Sequence, residues 1–403
     1  MRRLPLESSQ RMHRVQTPII PVVAEWIRQN PGTISLGQGV VSYGPPPEIQ
    51  AGIERFFADA QNNKYKPVYG IPELLEVIER KLKIENGIPF DGESRIVVTA
   101  GSNMAFTNTV LAITEPGDEV ILQTPYYFNH EMALQMLGVR PVLVPTDEHY
   151  QPQPELIRKA ITPRTRAIVT VSPNNPSGAV YQELMLREIN SLCGERGLIH
   201  ISDEAYELFT FNQSKHFSPG AIPGSAPHTV SLFSLSKVCG FASWRVGYQV
   251  IPKRFFDATL KIQDTQIICP PVISQFAAAA ILPLSADYCR QHLPSIRRNR
   301  DVILARLDEL GSRCLVPASD GAFYLLLKLN TSIDSLELSR RLIVEHRVAA
   351  IPGAAFGIRD ACLLRVAYAA LDAASVETGA DRLVMGLSTL LSESKLDSNR
   401  SKA

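Results

Sequence analysis

Lys237 closes an apolar run in SLFSLSKVCGFASWRVG, with Ser234 and Ser236 before it and Arg245 eight residues after it. A lysine taken alone is a solvated surface charge. Here the neighbours are small or apolar, and an amine held out of water has its ammonium form disfavoured, as an amine that condenses with a carbonyl requires. Hydroxyls and a planar guanidinium fork close by suit a phosphate dianion. Upstream, VSPNNPSGAVY sets Asn174 and Asn175 before a Pro-Ser-Gly turn, and twenty-eight residues after Asn175 the string SDEAYE ends another apolar run with Asp203 and Tyr206. Singly these are ordinary, since NPSG is a common turn and an acid at a strand end is a common helix cap. TAGSNMAF places Gly101, Ser102 and Asn103 between a strand and a helix, where backbone N–H groups and the positive helix end favour an anion. Without a ligand it would be a plain glycine turn.

These residues share a location, because all but Arg245, which opens a run, stand at or just past the end of a short apolar run. The runs are RIVVTAG (95–101), EVILQTP (119–125), RPVLVPT (140–146), RAIVTVSP (166–173), LIHISDE (198–204), TVSLFSLSK (229–237) and RVGYQVI (245–251). All read as buried strands. Between several of them lie amphipathic stretches, such as 103–114 and 183–197, so the pattern predicts a largely parallel sheet with helices on both faces. Such a sheet binds ligands at the carboxyl ends of its strands. After about residue 284 come a long charged helix (294–311), GAFYLLLKL, a helix near 335–347, VAAIP and LLRVAYAAL, which predict a smaller α+β domain. The chain up to about residue 45 carries Pro18, Pro21, Pro31 and Pro45 to Pro47 and reads as an arm laid on the body. The expected boundaries are therefore an arm with part of the small domain over 1–45, a large domain over 46–283, a small domain over 284–391, and a disordered polar tail over 392–403.

A chain of 403 residues can bury a large core and calls for two domains. Hydrophobic residues at 45% and charged ones at 20%, with no run of eighteen apolar residues, point to a globular protein without a membrane span. Lys and Arg number 41 against 40 Asp and Glu, which leaves no electrostatic footprint for nucleic acid. The six cysteines are scattered without a CxxC pair, so reduced thiols in a cytoplasmic compartment are expected. No metal-ligand spacing is evident, and neither GxSxG nor GxGxxG stands at a strand–helix junction, which disfavours an α/β hydrolase or a dinucleotide-binding enzyme.

As a set, NNPSG, DEAYE, and SLSK followed by WRVG, in this order and spacing, resembles the class I/II aminotransferases, from about Gly37 to Arg365. The resemblance implies a fold-type I transferase dependent on pyridoxal 5′-phosphate, with a mostly parallel seven-stranded sheet in its large domain. It implies that Lys237 carries the cofactor as a Schiff base and moves a proton from the substrate Cα. Asp203 would pair with the pyridinium nitrogen and keep the ring an electron sink. Asn175 and Tyr206 would bond the phenolic oxygen, and Tyr127 would stack on the ring. Gly101, Ser102, Asn103, Ser234, Ser236 and Arg245 would cradle the phosphate. Tyr65, in YKPVYGIPEL, would reach the phosphate of a neighbouring subunit, which implies a homodimer. Arg365 would grip the substrate carboxylate bidentately, with Gly39 and Asn175 against the same group. One position departs from the family: Ser243 stands where Gly usually precedes Trp-Arg, which puts the geometry of that loop in question.

PYYFNHEMALQMLGV, KIQDTQIICPPVISQ, GAFYLLLKL and AAIPGAAFG resemble plant aminotransferases of aromatic amino acids and methionine. That likeness implies such a donor and a 2-oxo acid acceptor, with Ile19, Ile20, Val40 and Tyr69 as apolar candidates for the side-chain pocket. An aspartate-type enzyme would need a further cation for the distal carboxylate. A carbon–sulfur lyase or a decarboxylase could reuse the same cofactor residues. A regulator that keeps the fold would carry a helix-turn-helix domain before it, for which the residues preceding Gly37 leave no room.

Overall fold

In the computed structural model, which describes residues 9–400 and the side chains through residue 393, the chain forms a short helix, Gln10–Arg14, then a longer one, Ile19–Gln29, and a short strand β1 (Ile34–Ser35). Seven strands of one sheet follow: β2 (Ser94–Thr99), β3 (Glu119–Thr124), β4 (Arg140–Pro145), β5 (Thr165–Val171), β6 (Ile199–Asp203), β7 (Thr229–Ser234) and β8 (Gly247–Pro252). They are the seven apolar runs of the sequence, in the order β2-β8-β7-β6-β5-β3-β4. β4, β3, β5, β6 and β7 pair in parallel, and β8 runs antiparallel to both β7 and β2. The central strands β6, β7 and β8 are buried at every residue, as continuous apolar runs covered on both faces require. β4, with Pro141 and Pro145, lies at the edge, where a missing N–H costs no ladder bond.

The crossover helices begin where the residue chemistry starts them. Pro154 opens Pro154–Ala160 at its first position, and Gly197, at φ 66°, ends Glu183–Arg196 in the left-handed conformation that glycine adopts freely. Parallel crossovers return each strand in the same direction, so the ends of β3, β5, β6 and β7 lie on one edge of the sheet. The turn into β8 comes back to that edge.

A long helix, Ser285–Leu307, leads to a second, antiparallel sheet made of β9 (Cys314–Leu315), β10 (Tyr324–Leu329), β12 (Ile351–Pro352) and β13 (Cys362–Ala367), in the order β12-β13-β10-β9. Between β10 and β12 in the chain, β11 (Val348–Ala349) pairs in parallel with β1 as a separate two-stranded sheet, which ties the segment around Ile34 to this part of the chain. Helix Ile19–Gln29 buries Ile19 and Val23 in a cluster with Phe128, Ile343, Ile351 and Phe356. Each such side chain contributes roughly 1.5–3 kcal/mol. The proline-rich start is helical here because Pro18 and Pro21 fall before and within the first helical turn, where no intrahelical N–H bond is lost.

The polar tail differs from expectation. The last helix, Ala373–Arg400, continues past Leu391, and Glu393 is held by Arg341 at 2.9 Å; residues 401–403 lie outside the described ones. One stretch among the described residues, Val272–Arg313, is long and apolar enough by composition to cross a membrane, yet 56% of its apolar window is buried inside the chain. All six cysteines are free.

Candidate active site

Strand ends of the main sheet and the inner face of the small sheet enclose a cavity of about 400 Å³. Lys237 lies on its wall, in the short helix Leu235–Val238 that Ser234 caps by accepting from the Ser236 N–H at 3.2 Å. Its Nζ donates to the Gly39 carbonyl at 2.5 Å. Burial, with Arg365 and Arg245 adding to it and Asp203 opposing, pulls this amine down to about 8. Within the physiological range a substantial fraction is therefore the neutral nucleophile.

Asp203 ends β6 and is 4% exposed. One carboxylate oxygen accepts the Ala205 N–H at 3.1 Å. The other lies 3.1 Å from His130 Nε2, in a contact too poorly aligned to count as a hydrogen bond for the ring nitrogen. The His130 ring stacks on Phe106, with centroids 4.0 Å apart, and meets Tyr127 edge-on. Tyr127 lines the cavity, and its hydroxyl accepts from Asn129 Nδ2 at 2.8 Å and lies 3.5 Å from Asn103 Oδ1. Burial, then the Asp203 charge, pushes the Tyr127 phenol up to about 12, so it remains a neutral ring.

Gly101 has φ 87°, and an added Cβ there would lie 2.2 Å from Arg245 Nη2. The glycine thus lets the Arg245 guanidinium close over the start of helix Ser102–Ile113. Arg245 is held by the carbonyls of Ala242 and Ala100 at 2.9 and 3.2 Å and turns into the cavity through a left-handed φ of 55°. Ser243 is exposed and takes no positive φ, so the conformation there does not demand glycine and Arg245 still reaches the cleft.

Asn175, past β5, and Tyr206, past β6, face Arg365, which lies on β13 and is 2% exposed. Arg365 donates from Nη1 to Asn175 Oδ1 and from Nη2 to the Gly37 carbonyl, both at 2.9 Å, while its Nε is buried without a partner. A buried guanidinium with a donor to spare suits a carboxylate ligand.

Of the residues singled out in the sequence, Gly39, Ser102, Asn103, Tyr127, Asn175, Asp203, Tyr206, Ser234, Ser236, Lys237, Arg245 and Arg365 all line this one cavity, and Gly101 shapes it. Tyr65 does not; it is 76% exposed. Ile20 and Val40 line the wall, whereas Ile19 packs in a neighbouring core cluster and Tyr69 lies in a separate surface groove against Phe256. Sequence reasoning passed over His130, Asn129 and Tyr324. His130 could have been found three residues after Tyr127, on the buried side of helix Phe128–Met136. Tyr324 carries the one hydroxyl of GAFYLLLKL, and its link to the site depends on a strand register the sequence does not display.

The residues present fit pyridoxal phosphate. Gly101, Ser102, Ser234 and Arg245 offer donors for a dianion, and Gly101 leaves the space in which the guanidinium closes. Asp203 offers a buried carboxylate for a protonated ring nitrogen, and Lys237 an amine for the aldehyde.

Comparison with known proteins agrees with this reading of the geometry. The family profile described as aminotransferase class I and II matches residues 31–383. An aromatic aminotransferase of Arabidopsis thaliana is 33% identical over 393 residues, covering 95% of this chain and 97% of the relative. An aspartate/prephenate aminotransferase of Thermus thermophilus is 35% identical over 339 residues, covering 82% and 86%. Among solved structures, a Thermus thermophilus aspartate aminotransferase mutant superposes with a TM-score of 0.87 at 31% identity, over 94% of this chain and 100% of the other.

Proposed function

Because the chain belongs to the class I and II aminotransferases, which depend on pyridoxal phosphate, we propose that it moves the amino group of an aromatic amino acid or methionine to a 2-oxo acid with Lys237 as its cofactor-bearing amine. The observation that carries this reading is the meeting of Lys237, just past β7, Asp203, at the end of β6, and Arg365, within β13, in one cavity. When bound, pyridoxal phosphate supplies an electron sink for the pair released at the substrate Cα. Asp203 holds the ring nitrogen's proton, and Asn175 and Tyr206 face the phenolic oxygen. Gly101, Ser102, Asn103, Ser234, Ser236 and Arg245 hold the phosphate, and Arg365 orients the substrate carboxylate. Lys237, pulled down to about 8, can take a proton from Cα and return one near neutral pH.

Two features support an apolar donor. Pro18, Ile20, Pro21 and Val40 form one wall of the cavity, and its cationic lining residues are Lys237, Arg245 and Arg365, all of which have other roles in this reading. The relatives act on both aromatic and dicarboxylic substrates by name, so the donor decides between two branches of one family. Tyr65 supports a homodimer in which it reaches the partner's phosphate. The pairing of β1 with β11 supports an arm shared with a small domain over 284–391, beside a large domain over 46–283. Six free thiols support a reducing, cytoplasmic setting.

Borohydride reduction of the cofactor-loaded protein, followed by peptide mass spectrometry, should find the adduct on Lys237. Steady-state rates with phenylalanine, tyrosine, methionine and aspartate should favour the first three. An adduct on another lysine would refute the site, and a strong preference for aspartate would refute the donor.

A further inference from the structure

Four side chains from the two sheets close a ring on one side of the cavity. Asn175 and Tyr206 come from the main sheet, and Tyr324 on β10 and Arg365 on β13 from the small one. Arg365 Nη1 donates to Asn175 Oδ1 at 2.9 Å, which fixes the amide so that Nδ2 faces Tyr206 and donates to its hydroxyl oxygen at 3.4 Å. The same oxygen lies 2.8 Å from the hydroxyl of Tyr324. The Arg365 guanidinium sits over the Tyr324 ring, 4.5 Å from its centroid, and so completes the circuit. Gly39 makes room for the Tyr324 hydroxyl, because a Cβ there would lie 2.8 Å from it.

A phenol oxygen has two lone pairs and one proton, so the direction of the Tyr206–Tyr324 bond decides where the Tyr206 proton goes. A cation over an aromatic ring draws electron density from it and makes its hydroxyl the better donor. Burial raises both phenols, Tyr206 well above its ordinary value. Arg365 is the leading influence opposing that rise at Tyr324, whereas at Tyr206 it ranks behind burial and the Tyr324 and Tyr127 phenols.

We infer that Tyr324 is a positioning residue that donates to Tyr206, so that Tyr206, with Asn175 and Tyr324 filling its lone pairs, has its single proton left to point into the cavity. The inference rests on the reading that Tyr206 faces the phenolic oxygen of the bound cofactor. A small-domain tyrosine then sets the aim of a large-domain hydrogen-bond donor, and the residue that grips the substrate carboxylate polarises that tyrosine.

The absorbance of the bound cofactor titrated against pH reads this aim, because a well-directed donor favours the deprotonated phenolic oxygen and lowers the midpoint. Tyr324→Phe removes the hydroxyl and keeps the ring under Arg365. Loss of one directing hydrogen bond should raise the midpoint by about half to one unit, with the donor KM changed by less than about twofold. Tyr324→Leu also removes the ring and should add a severalfold rise in KM. In a Tyr206→Phe background the Tyr324→Phe shift should vanish, since Tyr324 acts through Tyr206. A midpoint that falls in Tyr324→Phe would mean that Tyr324 accepts the proton, and an unmoved midpoint would mean that it directs nothing; either overturns the inference. Borohydride trapping in each protein separates the two levels. No adduct on Lys237 in the unsubstituted protein removes the premise and the inference together, whereas a trapped adduct with an unmoved midpoint defeats the inference alone.

Discussion

At Lys237 several influences act on one proton. Water is largely excluded and two guanidinium groups lie near, all of which disfavour the ammonium, while Asp203 favours it; the balance is an amine near 8. The sign is therefore downward, and the reactive form accumulates as pH rises through that value. In the cofactor-free protein, acylation of Lys237 by acetic anhydride should increase about tenfold between pH 7 and pH 9 and then level off, where an ordinary surface lysine would go on rising to above pH 10. Peptide mass spectrometry measures this directly, and a Lys237 profile that tracked surface lysines would contradict the assigned burial. Much of the site at this scale was legible because Lys237, Asp203, Asn175 and Arg245 stand within a few residues of apolar runs that end on one sheet edge. Tyr324 and His130 were not, because their partners are distant in the chain. Tyr324 lies opposite Ala367, two places along from Arg365 on the neighbouring strand, so the two share a face only by the register of β10 and β13.

The elements act chiefly through their ends. Helix Ser102–Ile113 starts at a glycine whose left-handed φ and missing Cβ let Arg245 close over the first N–H groups. Gly101→Ala should strain the turn by about 1–2 kcal/mol and displace the guanidinium, weakening cofactor affinity by at least about tenfold while the far side of the sheet stays intact. Equilibrium dialysis with pyridoxal phosphate, beside a melting curve of the cofactor-free protein, distinguishes a damaged cradle from a damaged fold; unchanged affinity would show that the Arg245 closure is dispensable. The strands were readable from β-branched apolar runs because both faces of the central ones are covered. Helix Ile19–Gln29 is not readable in this way, because Pro18 and Pro21 signal a break unless their place at the first turn is known. The pairs β1–β11 and β12–β13 involve two residues each, too short for any periodicity to announce them.

The whole molecule sets one sheet against another across the cavity, and Arg365 and Tyr324 from the small sheet face Asn175, Tyr206 and Lys237 from the large one. Tyr65 faces outward at 76% exposure, so Tyr65→Phe should leave the melting temperature of the chain unchanged. In the proposed dimer it should weaken cofactor binding by about tenfold, the worth of one hydrogen bond to a charged group, and make occupancy fall on dilution. Fluorescence titration with sedimentation at matched concentrations checks this, and equal affinity in the variant would remove Tyr65 from the partner's site. The pairing of Ile34 with Val348 has a consequence for biogenesis. A growing polypeptide leaves the ribosome with its first strand lacking a neighbour until more than three hundred further residues have emerged. The seven-stranded sheet is complete in sequence by Pro252, long before that. The cavity is thus closed only late in synthesis, and a prematurely terminated copy would carry Lys237 without Arg365.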